Sequence, residues 1–145
     1  MSGYLLDHRI FRKIAPGESP LLFTTRYGVR GRIIPTGIHG SFTGPLGHTD
    51  DILRACAEIG LSSDDVLYTI DGEASIRHMI QDSTARFEIN QELEWSSEAL
   101  ARYLAPQSSW INHSGKEISF NDIASSLLKR VPGEGTCLGT HVPYA

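Results

Sequence analysis

A recurrence along the chain most constrains its fold. The segment from Arg54 through Gly72 and Ser75 to Met79 can be laid over the segment from Arg102 through Gly115 and Ser119 to Ile123. The glycines are 43 residues apart and the serines 44. Each copy reads as a helix, an aromatic-containing connector, a turn glycine, a serine cap and a second apolar helix. That is the length of a helical-hairpin repeat, in which each pair buries its apolar face only against its neighbours. The competing reading is coincidence, since any helical domain can supply two helix starts of this kind.

The helical segments follow from periodicity. Leu5, Leu6, Ile10, Phe11 and Ile14 make one amphipathic helix, which Pro16, Gly17 and Pro20 end. Leu21–Tyr27 resumes as either a short helix or a strand. Six glycines with Pro35 and Pro45 then punctuate Gly28 to Gly47, which reads as a long glycine-rich loop. Thr49 caps a helix with Ile52, Leu53, Cys56 and Ile59 inward, ending at Gly60, and Asp50 and Asp51 fall in its first turn. Ser62 with Asp65 and Ser119 with Asp122 have capping-box spacing. Further helices span Ser75 to about Phe87, Glu92 to Leu104, and Ser119 to Val131. Thr140 with Pro143 looks like the start of one more helix. A single isolated turn is not stable, so this last piece either docks on the domain or opens a longer fold. The predicted fold is therefore mainly α: residues 1–27 N-terminal helices, 28–48 loop, 49–131 two irregular helical hairpins, and 132–145 the start of a further helix.

At 145 residues and 40% hydrophobic, the chain suits one domain with a real core. A net charge of −4 argues against a general nucleic-acid binder, whose affinity comes largely from phosphate neutralisation. No run approaches the roughly 18 apolar residues of a membrane span, and the N-terminus does not read as a signal peptide. A soluble cytoplasmic protein is the default expectation. Cys56 and Cys137 are the only cysteines, which excludes a disulfide framework but allows one bridge or two free thiols.

Candidate chemistry centres on Cys137 and His141, four apart and flanked by Gly135 and Gly139. A thiolate beside an imidazole can be a nucleophile with its base, or two ligands of a zinc site. Zinc needs at least one more protein ligand, which His48, Asp50 or Asp51 supplies if the fold brings them together. The competing reading makes Cys137 a small buried hydrophobe and His141 a packing residue. His39, His48, Asp50 and Asp51 on the glycine-rich loop also suit a divalent metal or acid–base work, against a reading of turn chemistry and ordinary capping. The loop lacks the Gly-Lys-Ser/Thr ending of a phosphate-binding loop. Arg26, Arg30 and Arg32 with Phe23 and Tyr27 form a basic cluster suited to a phosphate or an acidic partner, or simply a solvated face. Asn112-His-Ser114 fits a glycosylation sequon. Trp110 reads as a core or connector aromatic whose indole N–H needs a partner if buried.

The repeat over residues 49–131, together with the glycine-flanked Cys137-Leu-Gly-Thr-His141, resembles the α/α-toroid proteins, which include terpene cyclases and protein prenyltransferases. The resemblance implies stacked helical hairpins around a central cavity. It carries no catalytic residues over, because the Asp-x-Asp-Asp type of acidic motif is absent. Three functions follow as expectations. The first is a helical-repeat domain forming part of a larger toroid-like protein and not catalytically complete alone. The second is a small metal- or thiol-dependent enzyme using Cys137 and His141 with His48 and Asp50 or Asp51. The third is a protein-interaction module.

Overall fold

A computed structural model describes residues 6–14, 21–31, 50–91 and 93–130. Along these, helices alternate with β-hairpins: α1 (His8–Ile14), β1 (Leu22–Thr24), β2 (Val29–Gly31), α2 (Asp51–Glu58), β3 (Val66–Thr69), β4 (Gly72–Ser75), α3 (Ile76–Arg86), α4 (Glu94–Tyr103), β5 (Ser109–Ile111), β6 (Glu117–Ser119) and α5 (Phe120–Lys129). The strands form three separate two-stranded antiparallel sheets, β1–β2, β3–β4 and β5–β6. The expectation of a mainly α fold of helical hairpins is thus wrong, and the chain is mixed α/β. The α/α-toroid resemblance falls with it, because the connectors of the repeat are hairpins and not turns between paired helices.

The recurrence itself is real and extends further than the sequence shows. The outermost pairs of the three hairpins are Leu22 with Gly31, Val66 with Ser75, and Ser109 with Ser119, so Gly31, Ser75 and Ser119 stand at 44-residue intervals. Each hairpin turn is closed by one polar side chain at an equivalent place. Thr25 Oγ1 accepts from the backbone N–H groups of Tyr27 and Gly28, both at 3.1 Å. Thr69 Oγ1 accepts from Asp71 N–H and donates to the Gly72 carbonyl, both at 3.1 Å. Asn112 Oδ1 accepts from the N–H groups of Ser114 and Lys116, both at 3.0 Å. These short side chains hydrogen-bond nearby backbone, which favours turns over regular structure. The unit is therefore a helix followed by a hairpin, and in the second and third copies a further helix follows directly.

Local chemistry explains each transition. Ser62 and Asp65 do bond as a cap would, with Ser62 N–H to Asp65 Oδ2 at 2.7 Å, but the strand β3 follows instead of a helix. Val66, Tyr68 and Thr69 are β-branched or aromatic and favour a pleated surface. At Ser75 and Ser119 capping boxes launch α3 and α5, with His78 and Asp122 as the reciprocal partners. α2 begins at Asp50 as its N-cap and ends in a Schellman arrangement. Gly60 takes φ of 78° there, while the N–H groups of Gly60 and Leu61 bond the carbonyls of Ala57 and Cys56. Ile59, expected inside, is consequently carried past the helix end and is exposed.

One core runs through the units. Leu22 and Val29 from the first hairpin, Leu53 and Cys56 from α2, Leu67, Ile76 and Met79 from the second hairpin and α3, Ala99 and Leu100 from α4, and Ile118 and Ile123 all belong to it. Helices α2 and α4 pack on each other, and β2 lies against α3. A Cβ at Gly28 would overlap the His78 backbone carbonyl, so only glycine lets the first hairpin sit this close to α3. Trp110 is partly buried and packs on the core against Phe87 and Phe120, and its buried indole N–H has no hydrogen-bond partner. Among the described residues, no helix is long and apolar enough to cross a membrane.

Candidate functional site

Of the residues expected to carry chemistry, His39, His48, Cys137 and His141 lie outside the described residues. Asp50 and Asp51 are within them, at the start of α2. Asp50 is already fully engaged. It sits in the left-handed region, φ 64°, and accepts from Arg86 Nη2 at 2.8 Å, Ser83 Oγ at 2.7 Å and Ser96 Oγ at 2.5 Å. Arg86 continues inward, its Nε donating to Asp82 Oδ2 at 2.6 Å. Asp82, 0% exposed, also accepts from Thr25 Oγ1 at 2.5 Å and Arg30 Nε at 3.0 Å. Burial alone would raise the Asp82 pKa, but the hydrogen bonds from Arg30, Thr25 and Arg86 outweigh it and hold the carboxyl below its ordinary range. The charges form a chain joining the first hairpin, α3, the start of α2 and α4. Its evident physical role is to hold these elements in one arrangement.

This network revises two sequence readings. Arg30, expected in a basic cluster open to a phosphate, an acidic partner or solvent, is committed to Asp82, while Arg26 lies over the Tyr27 ring at 4.5 Å and Arg32 is outside the described residues. The Asn112 sequon places its amide inside, at 4% exposure, donating to the Phe87 carbonyl at 2.8 Å and Glu88 Oε1 at 3.0 Å. Cys56 is a free, buried thiol. Burial first, then the neighbouring Asp65 carboxylate, pushes its pKa up to about 12, which makes it a packing residue and not a nucleophile. Among the described residues, no group of three or more His, Cys, Asp or Glu side chains gathers to hold a metal.

The Asp50–Arg86 ion pair has an equivalent that sequence reading missed. Glu94, 3% exposed, accepts from Arg130 Nη1 at 3.0 Å, and Arg130 Nη2 also donates to the Gln91 carbonyl at 2.6 Å. Both pairs span 36 residues and are offset by 44, so an acid at the start of one helix meets an arginine at the end of the next helix of its unit. Arg54 and Glu98, also 44 apart and thus at equivalent positions on α2 and α4, bond each other at 2.5 Å. The signal is present as spacing, but an ion pair whose partners lie 36 residues apart resembles no local motif.

An open groove of about 300 Å³ lies between α1 and β3. Aliphatic Leu6, Ile10, Leu61 and Val66 line it with the Tyr68 ring and two carboxylates, Asp7 and Asp65. Here the backbone of Leu6 and Asp7 runs beside β3, Tyr68 N–H donating to the Leu6 carbonyl at 2.8 Å. Arg9 engages two of the lining residues. Its guanidinium lies 3.7 Å from the Tyr68 ring centre and donates to both oxygens of Asp7, the shortest bond being 2.6 Å. The hydrogen bond from Arg9 lowers the Asp7 pKa to about 2. Val66 is 52% exposed. A second hollow, of about 280 Å³ beside α5, mixes Lys116 and Lys129 with Glu117 and Asp122, whose carboxylates are already bonded by Ser109 and Ser119. No known family model matches the chain, and neither a curated protein nor a solved structure resembles it significantly.

Proposed function

We propose that this chain is a protein-interaction module, built from tandem helix–hairpin units, that receives a segment of its partner in the groove between α1 and β3. The observation that carries this reading is the contrast between the two polar regions. The buried acids are saturated by arginines and hydroxyls, whereas the groove exposes aliphatic surface beside a carboxylate. Repeat arrays bury their apolar faces against neighbouring units and leave a concave surface for binding, and the same division of labour fits here. The metal- or thiol-dependent reading has less support, since Asp50 could serve a metal or substrate only by leaving Arg86, Ser83 and Ser96 without their acceptor.

Selection of a random dodecapeptide display library on the immobilised full chain tests this. The expected outcome is enrichment of a peptide family whose binding is lost with Val66→Glu, a change at an exposed position that leaves the core intact. Enrichment indifferent to Val66→Glu, or no enrichment, would overturn the assignment.

A further inference from the structure

Resting on the interaction-module reading, we infer that the groove selects a protein segment in which an aliphatic side chain is closely followed by a lysine or arginine, with Asp65 as the charge partner. The two carboxylates of the groove are not equivalent. Asp7 is neutralised by Arg9, whose guanidinium also lies over the Tyr68 ring. Asp65 accepts one backbone N–H, from Ser62 at 2.7 Å, and has no basic partner among the described residues. The adjacent cation, Arg77, is bonded to Asp64 instead. Burial is the larger cause of the raised pKa values of Cys56 and Tyr103, and the nearby Asp65 carboxylate adds to it. The groove therefore presents one uncompensated negative charge beside Leu61 and Val66. An acidic or phosphorylated segment would meet repulsion there, while an ammonium or guanidinium would gain a partner without displacing an existing one. At about 300 Å³ the space suits one or two side chains of a short segment, not a large cofactor.

The test is an amide-detected NMR titration of the full chain with three probes: acetyl-Gly-Leu-Leu-Lys-Gly-amide, its Leu-Leu-Glu counterpart and its Ser-Ser-Lys counterpart. The lysine–leucine peptide is expected to shift the amides of Leu61, Asp65, Val66 and Tyr68. It should bind roughly tenfold more tightly than the glutamate peptide, the sum of a favourable exposed pair and a like-charge contact. Asp65→Asn keeps an acceptor for Ser62 N–H and should reduce that preference to less than about twofold. Equal binding of the lysine and glutamate peptides in the groove would overturn the charge selection and leave the interaction module standing. Groove amides unmoved by all three peptides would overturn both.

Discussion

Replacing Asp82 with alanine is expected to destabilise the protein by about 3–5 kcal/mol, the cost of removing one partner from a buried ion pair. Asp82 is the common acceptor for Thr25, Arg30 and Arg86, and it is wholly buried. Without it Arg86 keeps Asp50 but loses its inner partner, and Arg30 loses the contact that fastens the first hairpin to α3. Urea unfolding should show a lower midpoint with an unchanged slope. Asp64→Ala, which removes an exposed pair with Arg77, should cost less than about 1 kcal/mol in the same assay. The pH dependence follows from the sign of the shift. Asp82 has a depressed folded-state pKa, so its contribution is complete above the unfolded value of about 3.9 and is lost as pH falls through the folded value. Asp7, lowered to about 2, acts in the same direction. The wild-type protein should lose stability as the pH drops below about 4, and Asp82→Ala should lose less over that range. A shift below about 1 kcal/mol for Asp82→Ala would mean that the network does not hold the units together.

Phe87→Ala should cost a comparable amount, about 3–5 kcal/mol, for a different reason. Phe87 is fully buried just past the end of α3 and stacks edge-on against Trp110 of the third hairpin, with ring centres 5.5 Å apart. Trp110 in turn meets Phe120 at 5.6 Å. The ring fills the seam between the second and third units, and its backbone carbonyl accepts from Asn112. Truncation leaves a cavity bounded by the rigid Trp110 indole and the backbone of the hairpin, which can collapse little. Thermal or urea unfolding of Phe87→Ala and Trp110→Ala, alone and combined, should show non-additivity of about 0.5–1.5 kcal/mol from the aromatic pair. Additive losses would place the two rings in independent sites.

The sequence made the helices and the recurrence legible but concealed the strands. Helices α2 to α5 have 8 to 11 residues each, long enough for the apolar spacing of Leu53 with Cys56 or Ile76 with Met79 to be visible. The strands have three or four residues. Over that length, period-two alternation cannot be told from the edge of a helix, and Thr69-Ile-Asp-Gly72 reads as a plain connector. The turn glycines and serine caps were identified from the residues alone, yet their meaning changed once Thr25, Thr69 and Asn112 were seen to close hairpins. The first unit was hidden because a short helix and a three-residue hairpin carry too little pattern to align. For the site, sequence singled out Asp50 and Asp51 and passed over Asp82, Arg86, Glu94 and Arg130. A charge at a helix end reads as ordinary dipole complement or a solvated face unless its partner, here 36 residues away, is known. The groove depends on Leu6 and Asp7 lying beside β3, a long-range contact that no local spacing encodes.

The most direct measurement is a pair of double-mutant cycles in urea unfolding, Asp50→Ala with Arg86→Ala and Glu94→Ala with Arg130→Ala. If the same ion pair organises two copies of one unit, both cycles should give coupling energies of about 1.5–3 kcal/mol. Coupling below about 0.5 kcal/mol in either cycle would contradict the equivalence of the units and would release Asp50 from the structural role assigned to it.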